Sequence, residues 1–420
     1  MTRSAVWHPF TQHAVEPAMP CIATTDGAYL GTVEGRRILD AISSWWVVTH
    51  GHRHPAIVEA IRSTAETLDQ IILAGFTHKP AERLATALTE LAPQGLEWVF
   101  YSDSGSTSVE VALKMALGYW RNIGEARSRI VVLEGSYHGD TIGAMSAGAR
   151  GVFNAAYEPL LFAVDTLPFP TAGREQETLD ACEALTRERK AAALIIEPLV
   201  LGAGGMLMYP PRVLGELKRI TEASGTLFIA DEVMTGWGRT GTLFACEQAG
   251  ISPDLLCTAK GLTGGAVPLA ATLASGAVFQ AHFSQKRSHT FFHSSSYAAN
   301  PIACAAALAN IGIWQSEPVL ERVQRLSGMQ AERVARFQGD PRFADVRLAG
   351  TIAAFELRVA DAGYLAEIGP ELRSFFLGRD LLVRPLGNVV YLLPPYCVTP
   401  AELDRLYDAI DEAASLVVAA

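Results

Sequence analysis

The sequence has 420 residues, of which 49% are hydrophobic and 19% are charged. This length and composition support a large buried core and about two compact units in one globular protein. The formal net charge of −10 and the lack of a basic run make nucleic acid and anionic membrane surfaces poor partners. Six cysteines occur without a C-x-x-C pair, so we expect reduced thiols and no zinc site. Because the first residues contain no long apolar stretch, we expect a cytoplasmic protein.

Short apolar runs alternate with helical patterns through the middle of the chain. Buried strands are predicted at 97–102, 129–135, 192–198 and 226–232, and helices at 107–121 and 212–224. This alternation predicts an α/β fold in which helices flank a mostly parallel sheet.

A second region follows the alternating part of the chain. It begins with a long helical pattern from about residue 310 to 337, continues with strand candidates at 350–357 and 388–394, and ends in a helix from Pro400. We therefore predict an N-terminal segment over 1–45 that packs with a small α+β domain over 312–420, and a large domain over 46–311.

Asp231 and Lys260 are the first candidates for chemistry. The apolar run "TLFIADEV" stops at Asp231, and Lys260 follows the next strand-like run, "DLLCTA". Because the carboxyl ends of parallel strands meet at one edge of a sheet, the two groups can face one crevice. A lone strand-end aspartate more often caps a helix, and most loop lysines face solvent. Pyridoxal phosphate needs this pair, however: an amine that forms a Schiff base and a carboxylate that keeps its ring nitrogen protonated.

Two further stretches have features that suit such a cofactor. In "YSDSGSTSVEVALKMA" a strand leads through Gly105 and Ser106 into a helix, whose first backbone amides can bind a phosphate. In "GSYHGDT" another strand is followed by Tyr137, which can stack on a pyridine ring. An ordinary capped helix and a core aromatic are the alternatives.

From about Phe10 to Tyr396 the sequence resembles the class III, fold-type I pyridoxal-phosphate aminotransferases. The matching stretches include "DSGSTSVEVALKMA", "IIEPLVLGAGGM", "LFIADEVMTGWGRTG" and "CTAKGLTGG". The resemblance implies pyridoxal 5′-phosphate as cofactor, Lys260 as the Schiff-base lysine and Asp231 at the ring nitrogen. The other cofactor contacts that it implies are Gly105, Ser106, Tyr137 and Glu197.

Three more stretches are similar to the branch of this family that acts in biotin synthesis: "WHPF" at 7–10, "SSWWVVTHGHRHP" at 43–55 and "LLVRPLGNVVYLLPPY" at 381–396. That branch forms 7,8-diaminononanoate from 8-amino-7-oxononanoate, usually with S-adenosylmethionine as amino donor. For this long apolar acid, an aromatic wall and an arginine clamp are needed, and Trp45, Trp46 and Arg384 can supply them. Core packing and an ordinary ion pair are the alternatives for these residues. By resemblance, the substrate site also includes Phe10, Tyr137, Arg239, Lys260, Ser294 and Tyr391.

Two positions depart from the family's pattern. Phe10 stands where the biotin enzymes typically have tyrosine, so a ring remains for adenine but its hydroxyl is absent. "HSSS" at 293–296 replaces "HGPT" or "HGHT", which puts Ser294 and Ser295 in the places of glycine and a bulkier residue. The resemblance implies a homodimer in which Ser295 and Ser296 lie at a cofactor, with Ser296 reaching the phosphate held by the neighbouring subunit.

Three other interpretations stay open at this point. An ω-aminotransferase acting on lysine, ornithine, 4-aminobutyrate or β-alanine has the same signature, and Phe10 suits a donor other than S-adenosylmethionine. "GAGGM" at 202–206 resembles part of an NAD-binding fingerprint, but Leu207 stands where the third glycine is required. "HGHRH" at 50–54 offers three imidazoles for a metal, although Gly51 and Pro55 favour a turn into a helix. We expect no metal.

Overall fold

The computed structural model describes residues 5–15 and 19–418. The strands are β1 (Ile22–Asp26), β2 (Tyr29–Thr32), β3 (Arg37–Asp40), β4 (Leu96–Ser102), β5 (Arg129–Leu133), β6 (Asp165–Leu167), β7 (Ala191–Ile196), β8 (Val200–Leu201), β9 (Leu207–Met208), β10 (Leu227–Asp231), β11 (Leu255–Thr258), β12 (Ala270–Ser275), β13 (Phe343–Ala349), β14 (Ile352–Leu357), β15 (Leu381–Leu382) and β16 (Val389–Leu392). The helices are α1 (Ser43–Trp46), α2 (Pro55–Ala65), α3 (Lys79–Leu91), α4 (Gly105–Ile123), α5 (Ile142–Ser146), α6 (Glu175–Arg187), α7 (Pro211–Ser224), α8 (Gly276–His282), α9 (Pro301–Ser316), α10 (Val319–Val334), α11 (Ile368–Leu377) and α12 (Pro400–Val418). In the described part of the chain, no helix combines the length and apolar character needed to cross a membrane.

A seven-stranded sheet in the order β4-β12-β11-β10-β7-β5-β6 forms the centre of the molecule. The strand β12 runs antiparallel to both of its neighbours, and the other pairings are parallel. Every residue of β7 and β10 is buried, as expected for strands covered on both faces. Along β10, Phe228 packs in the core beside α7, whereas Ile229 packs in the core beside α4. The predicted mostly parallel sheet flanked by helices is confirmed.

Two smaller sheets are formed by strands that precede and follow the central sheet in the sequence. The sheet β1-β2-β3-β15 joins the N-terminal strands to the C-terminal part through the parallel pair Leu39 and Leu381. A second sheet, β13-β14-β16, packs with α10 and α12 in one apolar core. The division into three segments given above, with boundaries after residues 45 and 311, stays a prediction.

The single helix predicted over about 310–337 is wrong. The helix α9 begins at Pro301 and ends at Ser316, and α10 starts afresh at Val319. Pro318 separates them: it has no N–H to donate, and its ring disfavours a helical conformation for the residue before it. Glu317 accordingly has an extended backbone, with φ −115° and ψ 155°.

Candidate active site

A cavity of about 420 Å³ opens at the carboxyl ends of β10 and β11. Its volume lies in the range of small-molecule and cofactor sites. It brings together most of the residues predicted to bind a cofactor: Gly105, Ser106, Tyr137, Glu197, Asp231 and Lys260, with Trp46 on one side. Because β10 and β11 are adjacent and parallel, the two strand ends deliver Asp231 and Lys260 to the same edge of the sheet.

Lys260 begins a short 3₁₀ turn, Lys260–Thr263, just beyond β11. Its amine lies 4.8 Å from the centre of the Trp46 ring. Burial lowers the pKa of Lys260 to about 8, although the carboxylates of Asp231 and Glu197 act in the opposite direction. The amine therefore has a larger neutral fraction near neutral pH than an exposed lysine has, as a nucleophile or a base requires.

Asp231 is held in one orientation by two hydrogen bonds. Its Oδ1 accepts from the Val233 amide at 3.1 Å, and its Oδ2 lies 2.7 Å from His138 Nδ1. His138 also lines the cavity, and its buried Nε2 has no partner among the described residues. His138 was not among the predicted site residues. Its place beside Tyr137 was visible in the sequence, but nothing there pairs it with an aspartate 93 residues away.

The start of α4 is built to hold an anion. Ser104 caps the helix by accepting from the Thr107 amide, which leaves the amides of Gly105 and Ser106 without acceptors in the first turn. Gly105 is required for close approach, because a Cβ there would lie 2.6 Å from Cγ1 of Val233. Both residues line the cavity, and the helix dipole favours a negative group at this end.

Glu197 connects the tyrosine to the sheet. It follows β7 directly, and its two oxygens accept from the amides of Tyr137 and Gly202, each at 2.9 Å. Burial raises the pKa of Glu197 to about 7, and nearby Asp231 adds to this rise while His138 opposes it. Glu197 thus fixes the backbone of Tyr137, whose ring lines the cavity.

The paired tryptophans lie in a left-handed turn. The four residues of α1 have positive φ values of 53°, 45°, 74° and 71°. For residues other than glycine, this conformation costs roughly 1–2 kcal/mol per residue. Buried Asp40 offsets the cost, since its carboxylate accepts from the Ser44 amide at 2.9 Å, from the Ser44 hydroxyl at 2.7 Å and from His52 Nε2 at 2.9 Å.

This turn places the two indoles in different surroundings. Trp46 is buried against the cavity, and its Nε1 donates to the Tyr391 hydroxyl at 3.0 Å. Tyr391 therefore supports Trp46 from behind and does not line the cavity itself. Trp45 is 38% exposed and is not among the residues that line the cavity.

Phe10, Trp45 and Arg384 form one cluster. The Phe10 ring meets Trp45 edge-on with centroids 5.5 Å apart, and the Arg384 guanidinium lies 4.8 Å from the centre of the Trp45 ring. Arg384 Nη2 is 3.5 Å from the Phe10 carbonyl, and no carboxylate of the described residues forms an ion pair with it. Most donors of the guanidinium are thus free to bind an acidic group.

Arg239 is not brought to the cavity. It is 1% exposed, and its guanidinium donates to the carbonyls of Trp46, Val48 and Pro394 at 3.3, 2.7 and 3.2 Å. Its donors hold the chain that carries Trp46, so the predicted contact with substrate has no support in this geometry.

The three serines also lie outside the cavity. Ser294 and Ser296 are exposed, whereas the Ser295 hydroxyl donates to Asp103, which does line the cavity. The roles assigned to these serines stay predictions.

The candidate metal motif at 50–54 and the candidate NAD-binding motif at 202–206 do not have the geometry that these functions require. In "HGHRH" the histidines contact different partners, namely Asn310 for His50, Asp40 for His52 and Glu317 for His54. The 202–206 stretch is a turn between the antiparallel strands β8 and β9 and opens no helix. It therefore lacks the strand-to-helix context of a dinucleotide fingerprint.

Comparison with known proteins places this geometry in a family. Residues 10–414 match the family described as Aminotransferase class-III. An adenosylmethionine-8-amino-7-oxononanoate aminotransferase from Synechococcus elongatus is 49% identical over 96% of this chain and 97% of its own length. The enzyme of the same name from Aquifex aeolicus is 36% identical over 96% of this chain and 94% of its own.

Two solved structures have the same architecture. The adenosylmethionine-8-amino-7-oxononanoate aminotransferase of Methanocaldococcus jannaschii has a TM-score of 0.93 at 33% identity, covering 98% of this chain and 97% of that one. An amine transaminase from an uncultivated Pseudomonas species, in its pyridoxal-phosphate-bound form, has a TM-score of 0.91 at 31% identity and 99% coverage of both chains.

Proposed function

The chain belongs to the class III, fold-type I aminotransferases, and from that premise we propose that it converts 8-amino-7-oxononanoate to 7,8-diaminononanoate in biotin biosynthesis. Pyridoxal 5′-phosphate is the cofactor and S-adenosylmethionine the amino donor. The observation that carries this proposal is the 49% identity, over nearly the whole of both chains, to a relative named for these two substrates.

The residues around Lys260 fit pyridoxal 5′-phosphate. The free first-turn amides of α4 and the Ser106 hydroxyl suit its phosphate, and the Tyr137 ring suits the flat face of its pyridine. Buried Asp231 suits its protonated ring nitrogen. When bound, the cofactor supplies an electron sink for the carbon that carries the amine.

Each side chain around the cofactor site has a separate role in the proposed reaction. The Lys260 amine, with its lowered pKa, holds the cofactor and then moves a proton at the substrate carbon. Asp231 keeps a proton on the ring nitrogen, and His138 keeps Asp231 in orientation. Trp46 forms an apolar wall that excludes water, and Arg384 binds the carboxylate at the far end of the acid.

The adenine of the donor requires a flat apolar surface near the entrance. Phe10 and Trp45 are both partly exposed and offer such a surface beside Arg384. A phenyl ring stacks on adenine without the hydrogen bond that a tyrosine adds, so we expect binding of S-adenosylmethionine through stacking and shape.

We also propose that the enzyme is a homodimer in which Ser296 contacts the phosphate held by the neighbouring subunit. Ser296 lies beside the 69–76 segment, since Gln70 Nε2 donates to its carbonyl at 2.8 Å. Around this contact the surface is apolar: Ile72, Phe76, Phe292 and Tyr297 are each more than 60% exposed. Clustered exposed aromatics of this kind mark protein interfaces. The cytoplasmic location stays a prediction.

The function is tested by supplying the loaded enzyme with 8-amino-7-oxononanoate and one donor at a time, and measuring 7,8-diaminononanoate by mass spectrometry. S-adenosylmethionine is compared with lysine, ornithine, 4-aminobutyrate and β-alanine, and Lys260→Ala serves as the inactive control. We expect the highest rate with S-adenosylmethionine. If product forms with another donor but not with S-adenosylmethionine, the donor assignment is refuted. If no donor gives product, 8-amino-7-oxononanoate is refuted as the acceptor.

A further inference from the structure

The turn that carries Lys260 is held from behind by a buried asparagine. Asn310 lies in α9 and is fully buried. Its Nδ2 donates to the carbonyl oxygens of Gly261 and Leu262, each at 3.1 Å. These are the two residues that follow Lys260, so the asparagine fixes the backbone from which the lysine side chain leaves.

The turn needs such a support because it is strained and tightly packed. Lys260 has φ 45°, in a region that residues other than glycine occupy at a cost. A Cβ on Gly261 would lie 2.7 Å from Cβ of Trp237 and 3.1 Å from Cγ2 of Thr49. A turn with this conformation persists where the surrounding contacts determine it.

His50 determines which way the Asn310 amide faces. Its Nε2 lies 2.8 Å from Asn310 Oδ1, and because an amide oxygen can only accept, Nε2 carries the hydrogen. With the oxygen facing His50, the NH₂ group faces the two carbonyls of the lysine turn. Burial lowers the pKa of His50 to about 4, which keeps the ring in this neutral state at neutral pH.

We propose that His50 and Asn310 are positioning residues for Lys260: His50 orients the Asn310 amide, and the amide holds the lysine turn so that the amine points into the cavity. Neither residue lines the cavity, so both act through the backbone of the turn. The proposal rests on the catalytic role of Lys260 proposed above. It gives the first histidine of "HGHRH" a role in place of the metal considered from sequence.

Asn310→Asp tests the amide with little change of volume. It replaces the two donors by an oxygen that faces the carbonyls of Gly261 and Leu262. We expect the affinity for pyridoxal phosphate and kcat each to fall about tenfold or more, with KM little changed. The pH midpoint of the bound cofactor's visible absorbance should shift by about half a unit or more, because that absorbance reports on the Lys260 nitrogen.

Ile313→Ala is the matched control, since Ile313 is buried in the same helix and packs in a different apolar core from Leu262 of the turn. It should lower the melting temperature while leaving the absorbance midpoint and the cofactor affinity at wild-type values. A purely structural role for Asn310 predicts that the two variants behave alike.

A second pair of variants gives the same test if Asn310→Asp fails to fold. His50→Leu removes the donor to Asn310 Oδ1, whereas His50→Gln restores an N–H there. We expect His50→Leu to reproduce the loss of affinity and the shifted midpoint, and His50→Gln to recover both. Wild-type midpoints and affinities in Asn310→Asp or His50→Leu would overturn the inference. A wild-type protein that binds no pyridoxal phosphate would instead refute the proposed function.

Discussion

Replacing Lys260 by methionine should stabilise the cofactor-free protein at neutral pH. Burial lowers the pKa of Lys260 from 10.5 to about 8. At about 1.4 kcal/mol per pKa unit, holding this lysine charged in the folded state costs about 3 kcal/mol below pH 8. Lys260 is only partly buried, so solvent screening reduces this cost and we expect ~2 kcal/mol. Methionine has a similar length and carries no charge.

The lowered pKa of Lys260 also sets how the effect of this substitution depends on pH. Between pH 8 and 10.5 the folded state binds fewer protons at Lys260 than the unfolded state does, so wild-type stability rises with pH across this window. The advantage of Lys260→Met should therefore be complete at about pH 7 and vanish near the upper end.

Thermal unfolding of the cofactor-free proteins measures this difference. For a chain of 420 residues, ~2 kcal/mol corresponds to a rise of about 2 °C in melting temperature. Lys190→Met is the control, because Lys190 is 65% exposed and its charge is solvated in both states. A rise in Lys260→Met that does not depend on pH, or no rise at all, would refute a desolvated amine at this position.

Three other substitutions test the site. Asp231→Asn removes the charge proposed to hold a proton on the cofactor's ring nitrogen, so steady-state kinetics should show kcat reduced about 10²–10³-fold in a protein with wild-type circular dichroism. Arg384→Ala should raise KM for 8-amino-7-oxononanoate about 10–100-fold through loss of a charge-assisted pair; an equal effect on an acceptor without a carboxylate would argue against that contact. Gly261→Ala introduces a Cβ 2.7 Å from Cβ of Trp237, and calorimetry should show about 1–3 kcal/mol of lost stability. Gly215→Ala, in α7, where the nearest atom to the added Cβ is 3.7 Å away, should be neutral or stabilising.

The parts of the site that follow from periodicity and strand order could be predicted from the sequence. Continuous apolar runs predicted β7 and β10. Because the carboxyl ends of parallel strands meet at one edge of a sheet, Asp231 and Lys260 were predicted to lie in one crevice. The break before α10 was also readable, because Pro318 interrupts the helical pattern.

What could not be predicted depends either on unusual backbone geometry or on contacts between residues that are distant in the sequence. The left-handed turn of α1 is stabilised by Asp40 and His52. No sequence pattern predicts its four consecutive residues with positive φ. The contact from Asn310 to Gly261 spans 49 residues. For Arg239 the resemblance implied a contact with substrate. In the structure its guanidinium instead donates to three backbone carbonyls inside the core.

The most direct test of the proposed activity is the visible absorbance of the loaded enzyme, recorded before and after S-adenosylmethionine is added without an acceptor. We expect S-adenosylmethionine to abolish the visible band of the loaded enzyme and 8-amino-7-oxononanoate to restore it. A band that S-adenosylmethionine leaves unchanged would contradict the donor. A bleached band that 8-amino-7-oxononanoate fails to restore would contradict the role in biotin biosynthesis.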